Sequence, residues 1–229
     1  KVPVQNVIGH LPGESDSRYG GLNNQAIVVL AQYDSPPVGP EGTLHPGASD
    51  NAGSVALLSA VVRAMNETGY QPYRTFLFIA YSGEGLEGGE PVNPSDVTKF
   101  MQAKTGFVGS LEVEAIVHLR GLGGAEGKTL NLAASGSRRL AKLFERSARQ
   151  MGVRARQVQE PVDLSIVFEE KSRQERGQEA PEIVLSWEGW ETISRTAEDT
   201  AEHLSADQLE RAGRALTMAL MVLGRELQY

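Results

Sequence analysis

Apolar and polar positions along the chain follow two alternating periods. Ala26 to Tyr33 (AIVVLAQY) and Arg74 to Tyr81 (RTFLFIAY) are short, nearly continuous apolar runs rich in β-branched and aromatic residues. That is the pattern of strands buried on both faces. Leu111 to Leu119 reads as a third strand and Glu182 to Ser186 as a short fourth. Between them the period lengthens. Val55, Leu58, Val62 and Met65 recur at helical spacing, and Asp50 or Asn51 ahead of them suits an N-cap, which predicts a helix to about Asn66. Ser137 to about Met151 is a second predicted helix, with Gly152 as its stop. Ser205 and Gln208 have capping-box spacing, and Leu209, Leu216, Leu220 and Leu223 form the buried stripe expected of a last helix. Ser82 to Pro94 is a Gly/Pro-rich loop in which Pro94 can open a further helix, and Glu169 to Glu179 reads as a solvated charged loop.

Strands and helices alternating over the full length predict an α/β fold, with three α/β/α layers around a central mixed, largely parallel sheet. No linker divides the chain, so residues 1–229 read as a single domain large enough to bury a full core. In such folds ligands sit beyond the carboxyl ends of the strands. The segments to inspect are therefore 32–51, 82–90, 120–124 and 195–203.

Composition removes several function classes. With 22 basic against 29 acidic residues and a net charge of −7, the acidic balance argues against a nucleic-acid binder, which needs a clustered basic footprint. No apolar run approaches the roughly 18 residues of a membrane span, and any targeting segment is expected outside this chain. The absence of cysteine excludes disulfides, thiol nucleophiles and thiolate-bound zinc, and leaves the compartment open. A serine hydrolase is disfavoured: there is no G-x-S-x-G elbow, and Ser82 has no evident His partner. Gly83, Gly85, Gly88 and Gly89 do not follow a phosphate-binding fingerprint and read as loop glycines.

Several motifs then recur in a specific order. NVIGHLPG at Asn6 to Gly13 precedes a strand ending AQYDS at Ala31 to Ser35. HPGASDNAGSVALL follows at His45 to Leu58, RTFLFIAYSGEGLEGG at Arg74 to Gly89, and SRTAEDTAEHL at Ser194 to Leu204. In order and spacing the chain resembles the co-catalytic zinc aminopeptidase family. That group includes bacterial aminopeptidases and glutamate carboxypeptidases, together with the non-catalytic ectodomains of the transferrin receptor, nicastrin and nicalin. The resemblance implies the zinc-exopeptidase type of the α/β/α fold. In active members it implies two zinc ions that share a carboxylate, activate a water and polarise the scissile carbonyl.

Carried over residue by residue, most of that machinery is replaced. The strand motif with a ligating His reads Ala31-Gln32-Tyr33-Asp34-Ser35, so Gln32 stands at the His. The bridging Asp is retained as Asp50. Alignment on Gly85-Leu86 puts Ser82 at the general base and Gly83 at the paired ligand. Arg120 replaces the third-strand carboxylate and Arg195 the final His. Gln32 is a weak neutral ligand, Gly83 has no side chain, and two guanidinium groups repel a dication. The resemblance therefore implies a degenerate pocket of Gln32, Asp50, Glu84, His118, Arg120 and Arg195. It holds no catalytic residue and no cofactor, and Asp50 is expected to be satisfied by bidentate arginine pairing.

Each residue also has an ordinary reading. Asp50 suits a helix cap or ion pair, and Glu84 and Glu87 suit a solvated loop. His118 suits a hydrogen-bonded core position, and His10, His45 and His203 read as surface residues in turns or near a helix start. Trp187 and Trp190 read either as an aromatic binding surface or as packing at the sheet edge. The expectation is an inactive aminopeptidase-like domain serving as a binding or structural module of a larger, extracytoplasmic and membrane-tethered protein. Its expected partners are other domains of the same polypeptide or a second protein, with a peptide or other carboxylate as a possible ligand. The alternative is an active zinc exopeptidase with a rearranged site built from Asp50, Glu84 and His118.

Overall fold

The computed structural model describes residues 5–15, 20–35, 38, 42–82, 111–159 and 180–226. The apolar runs form the middle of a seven-stranded sheet. Its strands are β1 (Val7–Leu11), β2 (Gln25–Gln32), β3 (Thr75–Tyr81), β4 (Glu112–Leu119), β5 (Leu130–Ser135), β6 (Ala155–Val158) and β7 (Glu182–Trp187). They lie in the order β1-β3-β2-β4-β7-β5-β6. β3, β2, β4 and β7 run parallel; β1 and β5 are antiparallel to their neighbours β3 and β7, and β6 is parallel to β5. The sheet is thus mixed and mostly parallel, as the alternation of elements predicts. Ala31 pairs with Ala80 and Leu119, and Leu119 with Leu185. This register brings Gln32, Ser82 and Arg120 to one edge of the sheet.

β1, β5 and β6 lack an apolar run and escape a reading based on period. β1 contains Gly9 and His10, β6 reads ARQV, and both are outermost strands with half-exposed positions. His10 is therefore a half-buried strand residue, not the turn residue its context implies.

The described helices are α1 (Gly53–Glu67), α2 (Arg138–Gln150) and α3 (Ala206–Arg225), and all pack on one face of the sheet. Their side chains join Ile27, Val29, Phe76, Phe78, Val117, Leu119, Leu185 and Trp187 in one core. The opposite face carries Ala26, Val28, Leu30, Leu77, Ile79 and Ile116, which are also buried. Ser137 caps α2 by accepting from Leu140 N at 3.2 Å, and Gly152 follows the helix at φ 71°. On α1 the predicted Leu58 and Met65 are buried and Val55 packs against the core, and the stripe departs from the prediction at Val62. Gly53, Leu57, Val61 and Met65 face the core, whereas Val62 is 38% exposed. Gly53 sets that face, because a Cβ there would lie 2.4 Å from Gly123 Cα. The predicted helix opening at Pro94 lies outside the described residues.

Half of the predicted capping box forms at α3. Ser205 Oγ accepts from Gln208 N at 3.3 Å, but the Gln208 side chain does not return to Ser205. It takes Ala125 N at 2.8 Å and donates to the carbonyls of Ala125 and Gly127 at 3.0 and 2.8 Å. Ser205 N is satisfied by Gly123 O at 2.8 Å, which frees Gln208 to bracket the loop after β4.

The far end of α3 is closed by Arg74, whose side chain is almost fully buried. Its guanidinium donates to Leu223 O at 2.9 Å, to Glu226 O, and to Gln25 Oε1 at 2.9 Å. A cation meets the carbonyls left unpaired at a helix C-terminus and complements the dipole there. Beside it Tyr70 Oη donates to Met221 O at 2.7 Å, and burial pushes its phenol well above the ordinary tyrosine value, against the opposing pull of Arg225 and Arg74. The raised value means that this contribution to stability is complete below about pH 10 and is lost as pH rises beyond it. A spectrophotometric titration should show one tyrosine ionising only as the protein unfolds, and Tyr70→Phe should remove that component. Gly224 packs so closely that a Cβ would lie 2.5 Å from Tyr70 Oη and 2.6 Å from the Phe76 ring. Gly224→Ala is expected to cost about 1–3 kcal/mol by overpacking, read from the urea midpoint at unchanged slope.

Candidate functional site

The retained aspartate lies in a wide turn, Ala48–Ala52, that winds with π-type bonding directly into α1. Gly47 opens it at φ 68°, and a Cβ at that position would lie 2.8 Å from Ser35 Oγ. Asn51 N and Ala52 N both donate to Gly47 O, at 3.0 and 2.9 Å. The leading N–H groups of such a start have no partner within the helix. Here they are met from the other end of the chain. Asp199, fully buried, accepts from Ser49 N through Oδ1 at 2.6 Å and from Asp50 N through Oδ2 at 3.1 Å. Its own carbonyl accepts from Ala48 N at 3.0 Å. A carboxylate at a helix start is favoured by the dipole as well as by these bonds. The turn is also stitched to the loop after β4 through Gly121 N to Asp50 O and Gly123 N to Ser49 O, both at 3.1 Å.

Asp50 therefore does not cap α1. Asp199 does that work, and the Asp50 side chain turns toward the sheet edge, where it is only 6% exposed. Oδ2 accepts from Ser194 Oγ at 2.6 Å, and Oδ1 lies 3.5 Å from Arg120 Nε. The bidentate fork expected from the sequence does not form with Arg120. Ser194 holds one oxygen, and the Arg120 guanidinium is laid on the Trp190 ring, 4.9 Å from its centroid. The contact at 3.5 Å is an ion pair longer than a charge-assisted hydrogen bond. Gly121, at φ 57°, makes this arrangement possible, since a Cβ there would fall 2.3 Å from the indole. Arg195 follows Ser194 with φ 59°, a left-handed conformation uncommon outside glycine, and its side chain is exposed. Among the described residues, it is Ser194 rather than Arg195 that hydrogen-bonds the aspartate.

The other predicted positions are spread around this centre. Gln32 ends β2, buried, and donates through Nε2 to Asp34 Oδ1 at 3.1 Å. Asp34 O in turn accepts from Asn51 Nδ2, joining the β2 end to the turn. Ser82 is engaged with the start of the chain: its N–H donates to Asn6 Oδ1 at 3.3 Å and its hydroxyl lies 3.4 Å from Gln5 O. His118, 7% exposed, pairs in register with Leu30 and Val184 and points to the sheet face of Ile116, away from the helices. Gly83, Glu84 and Glu87 lie outside the described residues. The two tryptophans separate: Trp187 is a core residue, and half-buried Trp190 stands at the site. His45 is half-buried, and His203 is exposed in the turn before α3.

Three contributors go unnamed in a reading by ligand position. Asp199 and Ser194 both fall within the SRTAEDTAEHL segment, where Arg195 is the residue at the ligand position that the resemblance implies. Trp190 is noticed without its pairing to Arg120. As a fit for a pair of zinc ions, the described residues offer a neutral amide, one carboxylate and two guanidinium groups. Among the described residues, no three His, Asp or Glu side chains converge to hold a metal ion. These residues do not fit the group, and no chemistry through it follows from them.

Comparison with known proteins places this arrangement. The structure is similar to a zinc aminopeptidase from Bacillus subtilis, with a TM-score of 0.64 at 19% identity over 98% of this chain and 51% of that one. It is similar to the LapA aminopeptidase of Legionella pneumophila, with a TM-score of 0.63 at 17% identity over 89% of this chain and 52% of that one. It is also similar to the gamma-secretase component nicastrin, with a TM-score of 0.68 at 12% identity over 99% of this chain and 44% of that one. The chain spans about half the length of these proteins or less. Residues 6–220 match the sequence profile of Peptidase family M28, and with the ordered motifs and the mixed sheet this means that the chain belongs to that family.

Proposed function

We propose that this M28 domain is non-catalytic and acts as a binding or structural module of a larger, extracytoplasmic protein. The observation that carries the reading is the internal satisfaction of Asp50, the one retained ligand position, by Ser194 and Arg120. A bridging carboxylate in a working site must be open to two cations. Here one oxygen accepts a hydroxyl and the other faces a fixed guanidinium that cannot deprotonate. The Asp50 side chain is thereby built into the wall between α1, β4 and the Ser194 turn. Fold similarity alone carries no activity, since function resides in sites. The similarity to nicastrin, a component of an assembly, agrees with an interaction role.

Two measurements test this reading. Protein purified without chelator and dialysed against micromolar zinc should retain less than about 0.1 zinc per chain by mass spectrometry, and should release no amino acid from short peptides. A ratio near one or two would reinstate the rearranged exopeptidase that draws on Asp50, Glu84 and His118. Arg120→Met should leave the Asp50 carboxylate without its counter-charge. It is expected to cost about 1–2 kcal/mol, less than for a fully buried pair because Arg120 is 35% exposed. Adding Asp50→Asn should recover part of that loss, which chemical denaturation of both variants would read out.

A further inference from the structure

The net charge of −7 conceals a strong asymmetry. Between residues 138 and 156 stand seven basic side chains, Arg138, Arg139, Lys142, Arg146, Arg149, Arg154 and Arg156, against the single acid Glu145. All seven are exposed: five along the solvent face of α2, Arg154 in the connection that follows it, and Arg156 on the outermost strand β6. Among the described residues, three carboxylates beside this face are already engaged. Glu145 is held by Arg149 at 3.5 Å and Gln157 at 2.9 Å, Glu226 by Arg146 at 3.5 Å, and Glu188 by Arg156 at 2.9 Å. Arg138, Arg139, Lys142 and Arg154 have no ion pair among the described residues.

This placement works against the helix that carries it. The first turn of α2 contains no acid and begins with two arginines, where the dipole disfavours cations. Arg138 and Lys142, and Lys142 and Arg146, are like charges at i,i+4, a destabilising arrangement. α3, by contrast, carries Asp207 in its first turn, with Asp207–Arg211 and Glu210–Arg214 as paired charges at i,i+4. Local rules broken on one face without a compensating contact mark a surface kept for another purpose. No exposed large hydrophobic side chain among the described residues falls between 134 and 159, so the face has nothing to insert into a bilayer. It is dominated by arginine, whose planar fork matches carboxylates, and Arg146 and Arg156 already pair with carboxylates at its border. β5 places Ser135 opposite Glu182 at the amino end of β7, so α2 starts at the sheet edge away from Asp50. The start of α2 is thereby separate from the candidate site, whereas Arg156 pairs with Glu188 just beyond the carboxyl end of β7.

From this geometry we infer that the α2–β6 face is a docking surface for an acidic, carboxylate-rich segment of a partner protein. The test is fluorescence anisotropy with a labelled oligoglutamate peptide of about a dozen residues, followed from about 50 to about 300 mM salt. Binding is expected, weakening with salt, and lost at least about tenfold in Arg138→Glu/Arg139→Glu/Lys142→Glu. The same charge change at exposed Arg63, Lys128 and Arg214 should leave most of the binding intact, which separates a local face from net charge. The thermal midpoint of the α2 variant should hold or rise, since acids then stand at the helix start, so loss of binding cannot be ascribed to unfolding. Absence of peptide binding would overturn the inference, as would equal losses in the two triple variants. Tighter binding to phosphatidylserine vesicles or to heparin than to the peptide would overturn it in favour of a membrane or a polyanion. Low-salt self-association abolished by the α2 variant would replace the partner with a second copy of this chain.

Discussion

A carboxylate removed from water must find donors for its lone pairs, and Asp199 finds them in the backbone of a turn 149 and 150 residues earlier in the chain. The arrangement of the sheet edge depends on that contact. It fixes Ser49 and Asp50 at the start of α1, which orients the Asp50 side chain toward β4 and Ser194. It also lets the wide Ala48–Ala52 turn persist without a capping side chain of its own. Gly53 against Gly123 and the bracket of Gln208 on the loop after β4 hold the same region from its other sides. The geometry around Asp50 is thus a property of the entire fold rather than of one loop.

Much of the architecture was legible in the chain because β2, β3 and β4 are buried on both faces and leave long apolar runs. β1, β5 and β6 were not, since short or outermost strands with mixed polarity carry no comparable period. The helix starts at Ser137 and Ser205 were readable because a serine hydroxyl caps locally. The start at Asp50 was misread for the opposite reason: the group that caps it is distant in sequence, and a side chain suited to capping was free to turn elsewhere. At the site, motif order nominated Asp50 and Arg120, which stand together. Ser194 and Asp199 could not be ranked by ligand position, since their contribution is a hydrogen bond to Asp50 or to the turn that bears it. The bidentate pairing failed because a neighbouring hydroxyl and an indole compete for the two partners.

At the strand ends the sheet edge holds one anion, one cation and one aromatic ring. The guanidinium is shared between the Asp50 carboxylate and the face of Trp190, two weak electron-rich neighbours instead of one strong bond. A metal would demand fixed distances and several donors, whereas this triad tolerates a 3.5 Å separation.

The chain has two tryptophans, and the fold gives them different optical surroundings. Trp187 is sealed in the core with the Arg211 guanidinium carbon 5.6 Å from its ring, whereas Trp190 lies half-buried on the backbone of Gly121 under Arg120. Intrinsic fluorescence therefore carries two separable signals: a blue component that follows the integrity of the whole core, and a redder one that follows the carboxylate–guanidinium arrangement at the strand ends. Anything that displaces Arg120 from the indole changes the second without disturbing the first. The domain thus carries a built-in optical reporter of the Asp50–Arg120 pair at the strand ends.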